Sequence, residues 1–320
     1  MGRGYLIRKV LHAVATVFFV VAFNFVLFRV MPGDPISLLT RSERLTPADV
    51  AELQAEYGLD QPLPAQFVNY LGDTLSGEFG VSLRSALPVS TLVGERVWPT
   101  FLLVGIGTVL ATVLGILIGI RGGWNRGSRF DSRTLYGSMV LYSMPEGWLG
   151  MLLLITFAGT LGWFPAGGFD TGETTGFAAV IDVANHLFLP VLTLTLGYIG
   201  EYAIIMRSSL LDTINEDYIT TARAKGVPDR LVRRRHAVPN AFLPTFTLIF
   251  LSFGYVLGGA IVIEVVFSWP GLGQLTYDAI NQLDYPVIQA IFLLTSAMVI
   301  AFNLAADLTY GFLDPRVRHA

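Results

Sequence analysis

The sequence predicts an all-α membrane protein with six transmembrane helices, and three observations predict it. Charged residues make up 14% of the 320 residues and hydrophobic ones 53%, with a mean hydropathy of +0.59. A soluble domain carries about a quarter charged residues, so lipid is the solvent this composition suits. Six stretches are long and apolar enough to cross the hydrocarbon core as helices of about twenty residues. Finally, Lys and Arg are segregated between alternate connections, as the positive-inside rule requires.

The six spans are read at about 10–28, 101–120, 135–157, 187–206, 242–263 and 287–308. The first follows a basic start, Arg3, Arg8 and Lys9, as a signal peptide would. Its apolar run exceeds the usual signal core, and Arg29-Val30-Met31-Pro32 offers no small-x-small cleavage site, so it is read as a retained span. One side of the membrane collects Arg3, Arg8, Lys9, Arg121, Arg126, Arg129, Arg133, Arg207 and the run from Arg223 to Arg235, with Arg316 and Arg318. The other side has Arg41, Arg44, Arg84 and Arg96 in a loop rich in acids. Both termini are therefore expected in the cytoplasm. Trp98, Trp163 and Trp269 fall at the outer span ends, where indole suits the interface. The chain has no cysteine, which excludes disulfides, thiolate nucleophiles and Cys-ligated metals within it.

Two loops are long enough to fold. In the outer loop, 31–99, Thr46-Pro47 with Asp49 reads as a helix start and Gly58 as its stop, and a second amphipathic helix spans about 65–76, ended by Gly77. Together they are expected to form a small extracytoplasmic lid. In the cytoplasmic loop, 207–241, Asn215 is placed to cap a helix with Glu216 and Asp217 in its first turn. That helix would run to Lys225 and stop at Gly226, and Pro228 would open another. Thr220, Thr221, Ala222 and Ala224 keep the first helix thin, and a thin short helix fits a partner's groove. Read without that partner, the same basic loop is a topological anchor against anionic lipid.

At this loop the chain resembles binding-protein-dependent ABC importer permeases, whose cytoplasmic motif is E-A-A-x3-G-x9-I-x-L-P. Gly226 matches the motif glycine, Ala222 the second alanine and Val238-Pro239 the Leu-Pro position, while Thr220, Thr221 and His236 depart from it. Asp217-Tyr218-Ile219 followed by Thr221-Ala222-Arg223-Ala224-Lys225-Gly226 is similar to the dipeptide/oligopeptide version. Further landmarks follow in order: Pro32-Gly33-Asp34-Pro35, Tyr57 to Pro62, Gly77-Glu78-Phe79-Gly80, Val266 to Gly273, Asp284-Tyr285-Pro286-Val287 and Asp314 to Arg318. The resemblance implies a type I importer fold over one permease domain, 1–320, in the cell membrane. It implies a second homologous permease, an extracytoplasmic binding protein that delivers peptides, and two cytoplasmic ATPases that bind ATP and Mg in place of this chain. It places the ATPase contact on Asp217, Tyr218, Thr221, Ala222, Ala224, Lys225 and Gly226.

Other residues are weighed on chemistry. Glu146 follows Pro145 inside the third span, where a carboxylate is costly and marks a functional hypothesis. It is read either as a charge on the translocation path that attracts a cationic group, or as a structural pair or protonated helix break. Glu201 and Asp307 suit interfacial solvation or an arginine bridge, and Asn24 and Asn303 suit interhelical hydrogen bonds. Gly115/Gly119 and Gly254/Gly258/Gly259 permit close helix approach. An enzyme is disfavoured because the four histidines form no H-E-x-x-H pair and no Ser sits in G-x-S-x-G. An ion-coupled secondary transporter is the alternative, with Glu146 as its one midplane acid, and the absence of a G-x-x-x-x-G-K-[ST] loop means that ATP must be handled by another chain.

Overall fold

The computed structural model describes residues 3–30, 60–254 and 261–313. Helix α1 is Arg3–Val30, α2 Leu63–Ser76, α3 Val89–Trp124, α4 Arg129–Ser143 and α5 Glu146–Leu153, the last continuing as widened i→i+5 turns to Thr160. Helix α6 is Phe177–Ile214, α7 Asp217–Ala224, α8 Asp229–Val232, with widened turns to Ala237, and α9 Val238–Gly254. Helix α10 is Ile261–Val266, α11 Leu272–Gln282 and α12 Tyr285–Leu313. No β-strand occurs among the described residues. Helices α1, α3, α6 and α12 are each long and apolar enough to cross a membrane, and α4 with α5 makes a fifth candidate if the bent pair counts as one span. The expected helix at 46–58, the 32–35 motif, Gly258, Gly259 and the tail from Asp314 lie outside the described residues.

The chain forms two compact units, 1–98 with 275–320, and 99–274. In the first, α1 packs along α12, and Lys9 bridges Asp307 at 2.8 Å. The partner of Asp307 is thus a lysine where an arginine was expected. Asn24 donates to Tyr70 Oη at 3.0 Å and to the Gln289 carbonyl at 3.2 Å, the interhelical role expected of it. The segment before α3 is held by a buried carboxylate: Asp284 accepts from Ser82 Oγ and from Leu83 N at 3.1 Å. Arg84 Nε donates to the Gln282 carbonyl beside it, at 2.9 Å. The landmarks at 77–80 and 284–287 therefore flank one tethered strap.

The second unit packs α3, α4 and α5 against α6. A Cβ at Gly115 would lie 2.6 Å from Tyr202 Cβ, and one at Gly119 2.7 Å from the Ala203 carbonyl oxygen, so both glycines admit α6 at backbone distance. The third span is not one helix. It turns through 101° between α4 and α5. Pro145 is the cause: it has no N–H and forces Met144 into an extended conformation, φ −80° and ψ 131°. Glu146 is accordingly the first residue of a new helix, not a carboxylate inside a continuous one.

Trp269 also differs from expectation. It was placed at the outer interface, yet it is wholly buried, whereas Trp98 and Trp163 are 60% and 65% exposed. Its Nε1 donates to the Pro99 carbonyl at 2.9 Å, and its ring packs tilted at 45° against Phe169, 5.0 Å between centroids. The reason is the fully buried carboxylate of Glu264. Glu264 accepts from Thr100 Oγ1 at 2.9 Å and from Gln274 N at 3.0 Å, while Thr100 Oγ1 accepts from Leu272 N at 2.7 Å. These bonds fold the 267–274 loop inward and carry the indole with it.

Leaving two such buried donors unmade costs about 1–3 kcal/mol each. Glu264→Ala is therefore expected to lower the thermal midpoint of the detergent-purified chain well below that of Glu264→Gln, which keeps an acceptor. Equal midpoints for the two variants would deny the carboxylate this role.

Candidate functional site

Helix α7 stands on an apolar platform. Ile219 and Ala222, three residues apart and so on one face, are buried against Met206, Leu210, Val232, Ala237 and Ala241. The opposite face presents Asp217, Tyr218, Thr220, Thr221, Arg223, Ala224 and Lys225, all exposed. Of the seven residues expected to contact a partner, Ala222 thus faces inward and supports the helix, and Asp217, Tyr218, Thr221, Ala224, Lys225 and Gly226 form the accessible rim. The Thr221 hydroxyl bonds back to the Asp217 carbonyl at 2.9 Å.

The helix end is closed. Gly226 has φ +74°, Gly226 N donates to the Arg223 carbonyl at 2.9 Å and Val227 N to the Ala222 carbonyl at 3.3 Å. This is a Schellman arrangement, completed by the apolar contact of Val227 with the platform that buries Ala222. The start differs from expectation. Asn215 does not cap α7; it closes α6, its Nδ2 donating to the Leu211 carbonyl at 3.0 Å. Helix α6 runs on to Ile214, so the Asn215 amide meets the carbonyls of the preceding helix first, and Glu216 takes the cap position without a side-chain bond.

Two further contacts fix the platform. Arg223 bridges Asp229 at 3.2 Å, and the guanidinium carbons of Arg223 and Arg233 lie 5.7 and 5.9 Å from the Trp124 ring centre. Exposed pairs of this kind contribute little individually. The stronger tie is Arg207 to Asp131, a bidentate pair at 2.6 and 3.0 Å with the aspartate side chain almost fully buried. Asp131 also accepts from Gly127 N at 2.9 Å, and its own N–H donates to the capping Ser128 Oγ at 3.1 Å, so both bonds fix the start of α4.

Glu146 lies apart from this surface. A Cβ at Gly197 would touch its Cγ at 3.5 Å, and its carboxylate lies beside Tyr198. Glu201 is half-buried one turn further along α6 from Gly197. No basic side chain bridges Glu146 or Glu201 among the described residues. The buried acids Glu264 and Asp131 were not singled out from the sequence, and Asp284 entered only as part of the 284–287 landmark. Glu264 carried a usable signal, a carboxylate in the apolar run Ile261 to Phe267, one residue past the predicted end of the fifth span.

Comparison with known proteins identifies relatives over the whole chain. The family model described as "Binding-protein-dependent transport system inner membrane component" matches residues 111–319, and the corresponding N-terminal model matches 2–101. The "Probable peptide ABC transporter permease protein y4tP" of Sinorhizobium fredii is 37% identical over 98% of this chain and 99% of its own length. The "Oligopeptide transport system permease protein AppB" of Bacillus subtilis is 35% identical, with coverage of 98% and 99%. The "Glutathione transport system permease protein GsiC" of Escherichia coli is 38% identical, again with 98% and 99% covered.

A Cβ at Gly226 would meet nothing within 4 Å, so the positive φ alone demands glycine there. A β-branched residue in this conformation costs about 1 kcal/mol or more, which is about a fivefold rise in the opened helix end. Gly226→Val is therefore expected to speed tryptic cleavage around 223–230 by about that factor, and Gly226→Asn by less, because Asn tolerates this backbone region. Identical cleavage rates in both variants would remove the conformational argument.

Proposed function

The chain belongs to the inner-membrane components of binding-protein-dependent transport systems, and from that membership we infer that it is the permease subunit of an ABC importer for peptides. It is a transport component and not an enzyme. The reading that di- or oligopeptides are the cargo is supported by the names of relatives that cover the whole chain.

One observation carries the mechanism: an eight-residue helix, closed at its end and seated on α6, presents a polar rim outward. Such a helix transmits force because its base is packed into the apolar part of the chain. We assign the rim Asp217, Tyr218, Thr221, Ala224, Lys225 and Gly226 to contact with a separate ATPase subunit, with Ala222 as the inward anchor. ATP and Mg then belong to two such ATPases, a second homologous permease completes the path, and an extracytoplasmic binding protein delivers the cargo. The single permease domain, 1–320, is supported by family matches at both ends of the chain. Six spans follow if α4–α5 counts as one and α9 with α10 as another, and the arginine placement supports cytoplasmic termini. The outer segment with α2 is assigned to the extracytoplasmic side on the same grounds.

Glu146 is assigned to the path. Its carboxylate opens a helix at a break, next to Tyr198, without a basic partner among the described residues. It would favour cargo with a free amine, such as a peptide terminus. Glu146→Gln is expected to lower the uptake preference for free-amine over N-acetylated peptides by about tenfold, roughly 1.4 kcal/mol. An unchanged preference would exclude it from selection.

The assembly is tested by purifying the tagged chain from its host in mild detergent. A second permease and ATPase chains are expected to accompany it, and replacing Tyr218 and Lys225 by Ala together should release the ATPases while the two permeases stay paired. A chain that came out alone and moved substrate without ATP would overturn the reading.

A further inference from the structure

Helix α2 is built with three faces. At 100° per residue, Phe67 and Tyr70 point one way, Val68, Leu71 and Leu75 lie roughly 110° to one side, and Asn69, Asp73 and Ser76 roughly 110° to the other. The Phe67 and Tyr70 face is seated on α1: Phe67 meets Phe25 at 5.2 Å and Phe18 at 6.3 Å between ring centres, and Tyr70 meets Phe25 at 5.5 Å and bonds Asn24. On the apolar flank Val68 is 66% and Leu75 81% exposed, with Leu71 partly so. The polar flank, Asn69, Asp73 and Ser76, is exposed as well.

The contacts fix how deep this helix sits. The apolar stretch of α1 ends at Phe28. At 1.5 Å per residue, Phe25 lies about 5 Å and Phe18 about 15 Å below that end, and the hydrocarbon core is about 30 Å thick. Helical side chains lean toward the N-terminus, which carries both rings deeper still. A helix whose aromatic residues reach Phe18 does not stand in water above the bilayer. At this level α1 itself exposes an apolar surface, formed by Phe19, Phe23 and Val26. An apolar flank beside the span and a polar flank opposite is the arrangement of an interfacial amphipathic helix.

We propose that α2 lies in the headgroup–acyl boundary of the leaflet that holds the C-terminal half of α1, with Val68, Leu71 and Leu75 in contact with lipid acyl chains and Asn69 and Asp73 in the headgroup layer. This rests on α1 crossing the bilayer. It changes the expected role of the helix from a lid in water to a float that ties the outer loop to the membrane surface.

The absence of cysteine makes single-cysteine variants clean. Val68→Cys, Leu75→Cys, Asn69→Cys and Asp73→Cys, each spin-labelled in the full chain and reconstituted in phosphatidylcholine–phosphatidylglycerol liposomes, are compared by collision with oxygen and with the water-soluble nickel complex NiEDDA. All four positions are exposed, and Asn69→Cys removes one surface bond, from its Nδ2 to Gln61 Oε1 at 3.0 Å. At 68 and 75 oxygen access is expected to exceed nickel access several-fold, with the order reversed at 69 and 73. Nickel reaching all four equally would overturn the proposal in favour of a helix in water. Exclusion of both reagents from 68 and 75 would overturn it in favour of a protein partner on that flank. Val14→Cys, exposed midway along α1, is the control: if nickel reaches it, α1 does not span, and the failure lies with the membrane reading itself.

Discussion

The carboxylate of Glu264, removed from solvent, is the constraint on which the larger unit depends. It accepts from the side chain that begins the buried part of α3 and from the backbone at the start of α11, and so holds together segments some 160–170 residues apart in sequence. Glu264 also serves as the carbonyl acceptor for Trp269 N, at 2.8 Å, which places Ser268 at φ +49° and turns the chain back on itself. An apolar residue at 264 would fill the space but leave the Thr100 hydroxyl and the Gln274 amide without their acceptor. In a chain surrounded by lipid, water cannot take their place. The loop that the resemblance singles out, Val266 to Gly273, is thus a consequence of one buried polar hub.

A second constraint is the scarcity of side-chain volume where helices meet. Gly115 and Gly119 bring α3 onto α6, and Gly200 lies against the Ser138 carbonyl of α4. Lipid tails are as apolar as Leu, so helices in a bilayer associate through close packing and polar contacts rather than by escaping water. Close packing on α6 from two sides supports its continuation from the apolar region to Leu210 and the platform under α7. The bidentate Arg207–Asp131 pair reinforces that continuity with a directional bond that packing alone lacks.

Much of this was legible in the sequence, for identifiable reasons. Apolar length located α1, α3, α6 and α12, because hydrophobic matching to a bilayer is a one-dimensional property. Gly226 and Gly77 announced helix ends because left-handed backbone is a local demand. What escaped notice depended on contacts far apart in the chain. The bend at Pro145 was hidden because proline also occurs inside unbroken helices here, at Pro99, Pro190 and Pro244. Trp269 was misplaced because position at a span end suits an interfacial indole as well as a buried one, and only the distant Pro99 carbonyl decides between them. Asn215 was misassigned because the true extent of α6, which lies beyond its apolar stretch, determines which helix its amide meets.

The shortness of α7 has a consequence of its own. Eight residues are too few to hold a helix in water, where even favourable sequences need about 12–15. The helix exists because α6, α8 and α9 supply the surface beneath Ile219 and Ala222. On the proposed assignment of α7 to an ATPase contact, the grip offered to that motor is therefore not a portable peptide but a property of the assembled chain. On that assignment, a copy that had inserted wrongly, or had not yet brought α9 back to α6, would offer the motor nothing to hold. Recruitment of the motor would then double as an inspection of the finished membrane fold, made before any ATP is spent on it.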